Sequence, residues 1–293
     1  MRDLTGKTAF ITGGASGIGL AMGRAFGRAG MNVMLADIEE APLKAAVDEL
    51  EGLQVRASGV VLDVGDRAAT LAAAARTVET FGKVHVVCNN AGIGTGGPVG
   101  TVSAEDWDWI LDVNLMGVVH GVDAFLPHIR AHGEGGHFVN TASMAGLISA
   151  PGMEPYSATK YAVVAMSEGW SVQLAPEKIG VSVLCPGFVR TRIDESGRAR
   201  QARFGGPKTP SEVPATASFV QSGIDPDRVG ERVREAVEGD ELYIITHPDM
   251  RGLVEMRFGR IMAAFDKAGA SQALEGLDYR SPTGIGLGLV GQS

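Results

Sequence analysis

Short apolar runs alternate along the chain with longer stretches whose apolar residues recur at helical spacing. The runs lie at residues 7–12, 32–37, 55–62, 84–89, 136–141 and 180–185, with a later one at 242–246. Several, such as Val84-His85-Val86-Val87-Cys88, are nearly continuous in apolar residues. A strand covered on both faces of a parallel sheet has no solvent side to alternate toward, so it takes this pattern. Helical spacing marks residues 17–29, 41–50, 67–81, 104–130, 156–175 and 249–268. The alternation predicts right-handed strand–helix–strand units and a doubly wound α/β fold with helices on both faces of the sheet. No Pro- and Ser-rich linker divides the chain. One domain is expected at 1–250, followed by a C-terminal helix and tail at 251–293. The rhythm breaks after Pro186. Residues 191–222 are rich in Arg, Gly, Ser and Pro and read as a lid over a site. Arg190, Arg192, Arg198, Arg200 and Arg203 either greet an anionic substrate there or form the solvated face of a lid helix. The small apolar stretch at 284–291 either packs on a neighbouring subunit or frays.

Composition narrows the picture by exclusion. Hydrophobic residues make up 45% and charged residues 20% of the 293 positions, which is globular rather than disordered. A formal net charge of −8 argues against a nucleic-acid partner, because phosphate contacts need basic surface. The two cysteines, Cys88 and Cys185, sit beside apolar runs and read as reduced buried thiols. The N-terminus runs straight into a strand and a glycine turn. No signal peptide is expected there, no apolar run approaches membrane-spanning length, and the cytoplasm is the expected location.

The candidate chemistry begins where the first strand ends, in Thr12-Gly13-Gly14-Ala15-Ser16-Gly17-Ile18-Gly19. Gly13, Gly17 and Gly19 let the backbone turn sharply and approach a diphosphate, and the helix opening near Gly17 aims its free N–H groups at that charge. Ser16 precedes Gly17 where a basic residue would favour a 2′-phosphate. Asp37, followed by Ile38, ends the second strand, where an acid accepts the adenosine ribose hydroxyls and repels a 2′-phosphate. Both features favour NAD over NADP. Asp63, followed by Val64, ends the third strand and can accept from the adenine amino group. Asn90, Ala91 and Gly92 bring an amide and small residues against a ribose.

Tyr156 and Lys160 are four residues apart, so a helix puts both on one face, and Pro155 suits its first turn. A phenol titrates near 10 in water; a neighbouring ammonium and an oxidised nicotinamide ring both favour the phenolate and fit it for base catalysis. Ser143, at the end of the fifth strand, can hold the substrate oxygen beside that phenol. Asn114 sits inside a long predicted helix, where asparagine is unfavourable, and a positioned water on a proton path to Lys160 would explain it. The six histidines show no ligand spacing, and no metal is expected.

Together and in this order, these motifs resemble the short-chain dehydrogenase/reductase family across residues 5–191. The resemblance implies a seven-stranded parallel Rossmann sheet and a tetrad of Asn114, Ser143, Tyr156 and Lys160. In that reading Tyr156 takes the alcohol proton, Ser143 orients the oxygen, Lys160 binds the nicotinamide ribose and lowers the phenol's pKa, and Asn114 holds the relay water. It also implies that Pro186, Gly187, Val189 and Thr191 fix the nicotinamide face, that the cofactor is NAD, and that the assembly is a homodimer or homotetramer. Residues 242–248 and the last helix resemble a subgroup that includes the Cα-dehydrogenases of bacterial aryl-ether lignin catabolism, which oxidise bulky benzylic alcohols.

The expected substrate pocket is formed by residues 94–98 and 144–154, Phe188 and the lid. Met144, Leu147, Ile148, Met153 and Phe188 make it apolar, as suits a hydrophobic secondary alcohol or ketone. Two alternatives stand beside this reading. A 3-oxoacyl thioester reductase would use the same four residues but usually prefers NADP, against Asp37. A non-catalytic NAD-binding regulator predicts a broken tetrad, and here the tetrad is intact.

Overall fold

A computed structural model describes residues 1, 3–208 and 217–277. Three strand–helix pairs open it: β1 (Thr8–Thr12) with α1 (Gly17–Arg28), β2 (Asn32–Asp37) with α2 (Glu40–Gly52), and β3 (Ala57–Val61) with α3 (Arg67–Phe81). β4 (Val86–Asn89) is followed by α4 (Ala104–Leu111), one π-helical turn (Asp112–Met116) and α5 (Gly117–His132). Then come β5 (Gly136–Thr141), α6 (Glu154–Leu174), β6 (Ile179–Cys185), α7 (Ala217–Gln221), α8 (Pro226–Gly239) and β7 (Tyr243–Ile245). These elements belong to a compact unit, Met1–Thr246. A second unit starts at His247 and contains α9 (Arg251–Gly269). The stretch at 284–291 and residues 209–216 of the expected lid lie outside the described residues.

The sheet has seven parallel strands in the order β3-β2-β1-β4-β5-β6-β7. This is the doubly wound architecture that the alternation predicts, with the seven-stranded Rossmann-type sheet that the resemblance implies. All residues of β1, β4 and β5 are buried; β1 and β4 accordingly show no alternating polar face, while β5 buries the polar His137, Asn140 and Thr141. One side of the sheet packs Phe26, Leu35, Leu50 and Val233; the other packs Phe10, Ile110, Phe125 and Phe138. Phe10 and Phe125 meet with ring centroids 4.2 Å apart. Burying each such side chain contributes about 1.5–3 kcal/mol. Cys88 and Cys185 are free buried thiols, as expected, and burial pushes both upward, Cys185 to about 12.

Three departures from the sequence expectations have physical causes. The single helix expected over 104–130 is interrupted by the π turn, whose extra residue turns Asn114 inward. The span from Ala104 to His132 is in fact long and apolar enough to cross a membrane, with a window mean hydropathy of 1.3. Here it is a core helix: Trp109, Ile110, Val118, Phe125 and Ile129 are buried in the unit. Finally, α8 lies outside the helices that the spacing predicts, although its signals are present. Asp225 caps it by accepting from the Asp227 N–H (2.8 Å), Pro226 opens it, and Val229, Val233, Ala236 and Val237 line one face against α1. Gly230 permits that contact, because a Cβ there would meet the Ala21 carbonyl.

His137 is fully buried on β5; its Nε2 donates to Ser182 Oγ (2.7 Å), and that hydroxyl donates to the Glu241 carbonyl (2.6 Å). Burial lowers its pKa to about 3. The unfolded chain therefore takes up a proton near pH 6.5 that the folded state refuses until about pH 3, so stability falls as pH drops through that interval. His85, lowered by burial as well, adds in the same direction. We expect Tm to decline from pH 6.5 toward pH 4 and His137→Gln to flatten the decline; an equally steep decline in the variant would assign it elsewhere.

Candidate active site

The strand order reverses at β1 and β4, so the connections leaving these two strands diverge and open a crevice at their C-terminal ends. The predicted cofactor residues gather around it. Gly13 has φ +64 and faces Ala91 and the Asn90 amide, and a Cβ on Gly19 would collide with the Gly13 carbonyl. That cradle keeps the turn and the first coil of α1 within backbone contact, leaving the N-terminus of α1 free of side chains, as a diphosphate requires. Ser16 occupies the N-cap of α1 without a side-chain cap bond, and Ile18 anchors the coil against the core. Gly17 has φ +53, and a Cβ there would lie 3.0 Å from the Thr191 methyl.

Asp37 ends β2 and accepts from the Ala15 N–H (3.0 Å) and the Glu39 N–H (3.1 Å); burial pushes its pKa up, opposed by those hydrogen bonds. Ile38 is half-buried beside it. Asp63 lies beyond β3, and Val64 next to it is buried, its carbonyl bonded to His120 Nδ1 (3.0 Å). Asn90 donates to the Thr12 carbonyl (2.9 Å), and the Thr12 hydroxyl accepts from the Asn90 N–H (2.9 Å) and the Ala91 N–H (3.0 Å). Thr12 thus ties the ends of β1 and β4 together. Its position, just before the first glycine, was the only sequence hint of that role.

The expected catalytic residues also come together. Ser143 caps the turn after β5, accepting from the Ala145 N–H (3.1 Å) and lying 3.4 Å from the Pro186 carbonyl. Its hydroxyl lies near enough to the Tyr156 phenol to favour the phenolate. Lys160 is buried one helical turn beyond, with its Nζ 5.5 Å from the Tyr156 ring centroid and donating to the Thr141 carbonyl (2.9 Å). A Cβ on Gly92 would stand 3.4 Å from Asn114 Oδ1 and 3.5 Å from Lys160 Nζ, so glycine there opens the space between them. Asn114 is fully buried. Its Oδ1 accepts from the Ile93 N–H (2.8 Å), and its Nδ2 donates to the Ile93 carbonyl (2.9 Å) and to Thr159 Oγ1 (3.4 Å). The inward asparagine is thus explained by the π turn and its grip on Ile93, before any water is invoked. Pro186 accepts from the Met144 N–H (2.9 Å), Gly187 follows it, and Val189 is buried and bridges to Ile224.

Without the nicotinamide ring, burial sets the balance at the phenol. Burial pushes the Tyr156 phenol above its ordinary value, only partly offset by Ser143, and lowers Lys160 to about 8. The protein alone therefore disfavours the phenolate, and the lysine does not by itself reverse the cost of burial.

Apolar walls flank the phenol. Met144 is buried, Leu147, Ile148 and Met153 are half-buried, and Phe188 stacks on Phe219 with centroids 5.3 Å apart. The 94–98 loop is pinned to the 150–153 turn by the Gly97 N–H donating to the Gly152 carbonyl (2.9 Å).

At the opposite end of the sheet, His85, His132 and Glu134 place potential ligand atoms within 4.8 Å of one another, which sequence spacing did not reveal. Every ring nitrogen there is already engaged. His85 Nδ1 accepts from the Thr8 N–H (3.2 Å) and Nε2 donates to Glu134 (3.0 Å). His132 Nδ1 accepts from the Glu134 N–H (3.2 Å) and Nε2 donates to the Val84 carbonyl (2.8 Å). No imidazole lone pair is left over for a metal.

Comparisons with known proteins agree with this geometry. The sequence model of the short chain dehydrogenase family matches residues 7–202. A curated Cα-dehydrogenase of Sphingobium sp. is 36% identical over 286 residues, covering 94% of each chain. Among solved structures, a short chain dehydrogenase/reductase of Burkholderia phymatum in complex with NAD superposes with a TM-score of 0.86 at 38% identity, covering 90% of this chain and 97% of that one. The apo form of LigD from Sphingobium sp. superposes with a TM-score of 0.76 at 34% identity, covering 89% and 98%.

Proposed function

The chain belongs to the short-chain dehydrogenase family, and within it we propose an NAD-dependent enzyme that interconverts a hydrophobic, aromatic-bearing secondary alcohol and its ketone. The observation that carries this reading is the convergence of Ser143, Tyr156 and Lys160 beside Gly92 and the glycine turn, under apolar walls.

The residues fit the dinucleotide. The Gly13–Gly19 contact leaves no side chain over the helix N-terminus, Asp37 is fixed by two backbone N–H groups, and the small Gly92 leaves room beside Lys160. Bound NAD supplies the acceptor for the hydride leaving the carbinol carbon and a positive ring whose field favours the phenolate. The protein's own residues do the rest. Ser143 holds the substrate oxygen, and Tyr156 removes its proton as the C–O bond becomes a carbonyl. Lys160, held by Thr141, stabilises the phenolate as an ammonium, and the proton taken by the phenol is passed on to solvent when the phenolate is regenerated; reduction runs the same transfers backward. Asn114 fixes Ile93 and so the floor beside Lys160. The stacked Phe188 and Phe219 and the half-buried Leu147, Ile148 and Met153 suit an aromatic or other bulky apolar substituent. The Cα-dehydrogenase relative supports a benzylic alcohol as the first candidate.

A panel of aryl carbinols, aliphatic secondary alcohols and 3-oxoacyl thioesters, each with NAD(H) and NADP(H), tests the proposal by absorbance of the reduced nicotinamide. Fastest turnover of aryl carbinols with NAD is expected. Fastest turnover of the thioesters would replace the substrate assignment, and tight NAD binding with no turnover would favour a regulator.

A further inference from the structure

The lid stretch follows an unexpected course. It leaves the catalytic end at Thr191, whose methyl packs on Gly17 at the head of α1. Arg198 then pairs with Glu39 just beyond β2: Nη2 lies 2.9 Å from Oε2, and Nε donates at 3.1 and 3.3 Å. Beyond β3, Gln201 Nε2 donates to Asp63 Oδ1 (3.0 Å) and Arg203 Nη1 to Asp63 Oδ2 (2.6 Å), while Arg203 Nη2 donates to Asp112 (2.6 Å). The order β1, β2, β3 runs from the centre of the sheet to its edge. The segment therefore crosses successive strand ends outward, away from Tyr156 and along the half of the crevice where Asp37 and Asp63 stand.

We infer that residues 192–204 form a strap, latched by Arg198, Gln201 and Arg203, that closes over the adenosine half of a bound dinucleotide and sets how long it stays. The inference rests on the cofactor reading above.

Two kinds of contact divide the labour. Arg200 is the fixed anchor: it is buried, pairs with Asp106 on α4, lies 4.9 Å over the Trp109 ring and donates to the Phe204 carbonyl (2.6 Å). Breaking a buried pair strands a charge in a poor solvent, so the strap holds at this point, between its latch residues. The latch pairs are more exposed, with the Arg203 side chain 45% exposed and that of Arg198 27%; such pairs are individually weak and screened by salt, so this part opens first. Gly205 (φ +97) and Gly206 (φ +74) follow the strap and give it a hinge that other residues would strain.

Strap and adenine are also compatible on one carboxylate. Asp63 Oδ1 already accepts from the Gly65 N–H (3.0 Å) and Gln201, and Oδ2 accepts from Arg203. A carboxylate offers about four acceptor positions, so one on Oδ2 remains for an adenine amino group. The latch closes beside the base instead of replacing it.

The test is stopped-flow dissociation of NADH, ADP-ribose and reduced nicotinamide mononucleotide from wild type, Arg198→Met, Arg203→Met and the control Arg76→Met, whose guanidinium pairs only locally on α3. Each latch variant is expected to release NADH and ADP-ribose about two- to fivefold faster, as loss of paired, partly exposed charges allows, with the mononucleotide and the control unchanged. Should a variant fold poorly, wild type alone serves: raising salt from about 0.05 to about 0.5 M should speed release of ADP-ribose more than that of the mononucleotide. Equal rates in wild type and latch variants, or equal salt effects on both ligands, would overturn the strap and leave the cofactor reading standing. Failure of wild type to bind either adenosine ligand would overturn both.

Discussion

Tyr156→Phe is expected to lower turnover by about a thousandfold or more while leaving the affinity for NADH within about twofold, because a positioned acid–base group contributes two to four orders of magnitude. The substitution removes one oxygen and keeps the ring. The ring packs against the second core cluster, so the fold should tolerate it. The same residue dictates the sign of the pH dependence. Alcohol oxidation needs the phenolate, which burial disfavours, so kcat/KM for oxidation should rise with pH. Ketone reduction needs the neutral phenol, which burial favours, so it should stay level over that range and fall only as pH nears the raised phenol value. Lys160, lowered to about 8, loses its stabilising charge as pH climbs further, so the rise should end in a plateau or a decline. Because the two groups are coupled, the apparent values belong to the pair. Steady-state rates of both directions from pH 6 to 10 would check this. More than a tenth of wild-type activity in the phenylalanine variant, or oxidation that slows as pH rises from 6 to 8, would remove Tyr156 from its role.

The second large effect concerns cofactor choice. Asp37→Ala should cut kcat/KM for NAD by about a hundredfold, since hydrogen bonds to a charged acceptor are worth about 1.5–3 kcal/mol each, and it should raise the value for NADP. The tertiary structure adds a detail that sequence neighbours did not suggest. No basic residue flanks Asp37 in the chain, yet Arg198 reaches the same corner from the strap and is held there by Glu39. In wild type that guanidinium is neutralised. Asp37→Ala with Glu39→Gln frees it for a 2′-phosphate, so the double variant should move further toward NADP than the single one. Ratios of kcat/KM for the two cofactors measure this directly, and an unchanged ratio in Asp37→Ala would refute the assignment of that acid.

Much of the site was legible because its signals are local. The glycines at 13, 17 and 19 mark a turn that fixes its own geometry, and the four-residue spacing of Tyr156 and Lys160 becomes adjacency on any helix. The continuous apolar runs identified the strands, since burial on both faces leaves no room for polar alternation. The signals of α8, Asp225-Pro226 and its valines, are present too, but its short apolar face is set in a charged background that masks the helical spacing. Asn114 stands out in sequence as an unfavourable residue in a helix. Its partner Ile93 and the π turn lay beyond reach, because they depend on how α4 and α5 meet the loop after β4.

Periodicity and spacing, acting over a few residues, were thus enough to determine the parallel sheet, the glycine cradle and the tyrosine–lysine pair. The folded chain alone decided the fate of the charges. Arg203 finds Asp63 across 140 positions, Arg198 finds Glu39 across 159, and three ring and carboxylate groups that look like metal ligands turn out to be satisfied by one another and by backbone. The reason is physical: helix and strand formation respond to neighbours along the chain. Whether a charge is paired, buried or free depends on what distant packing brings within about 4 Å of it, and on how much water that packing removes.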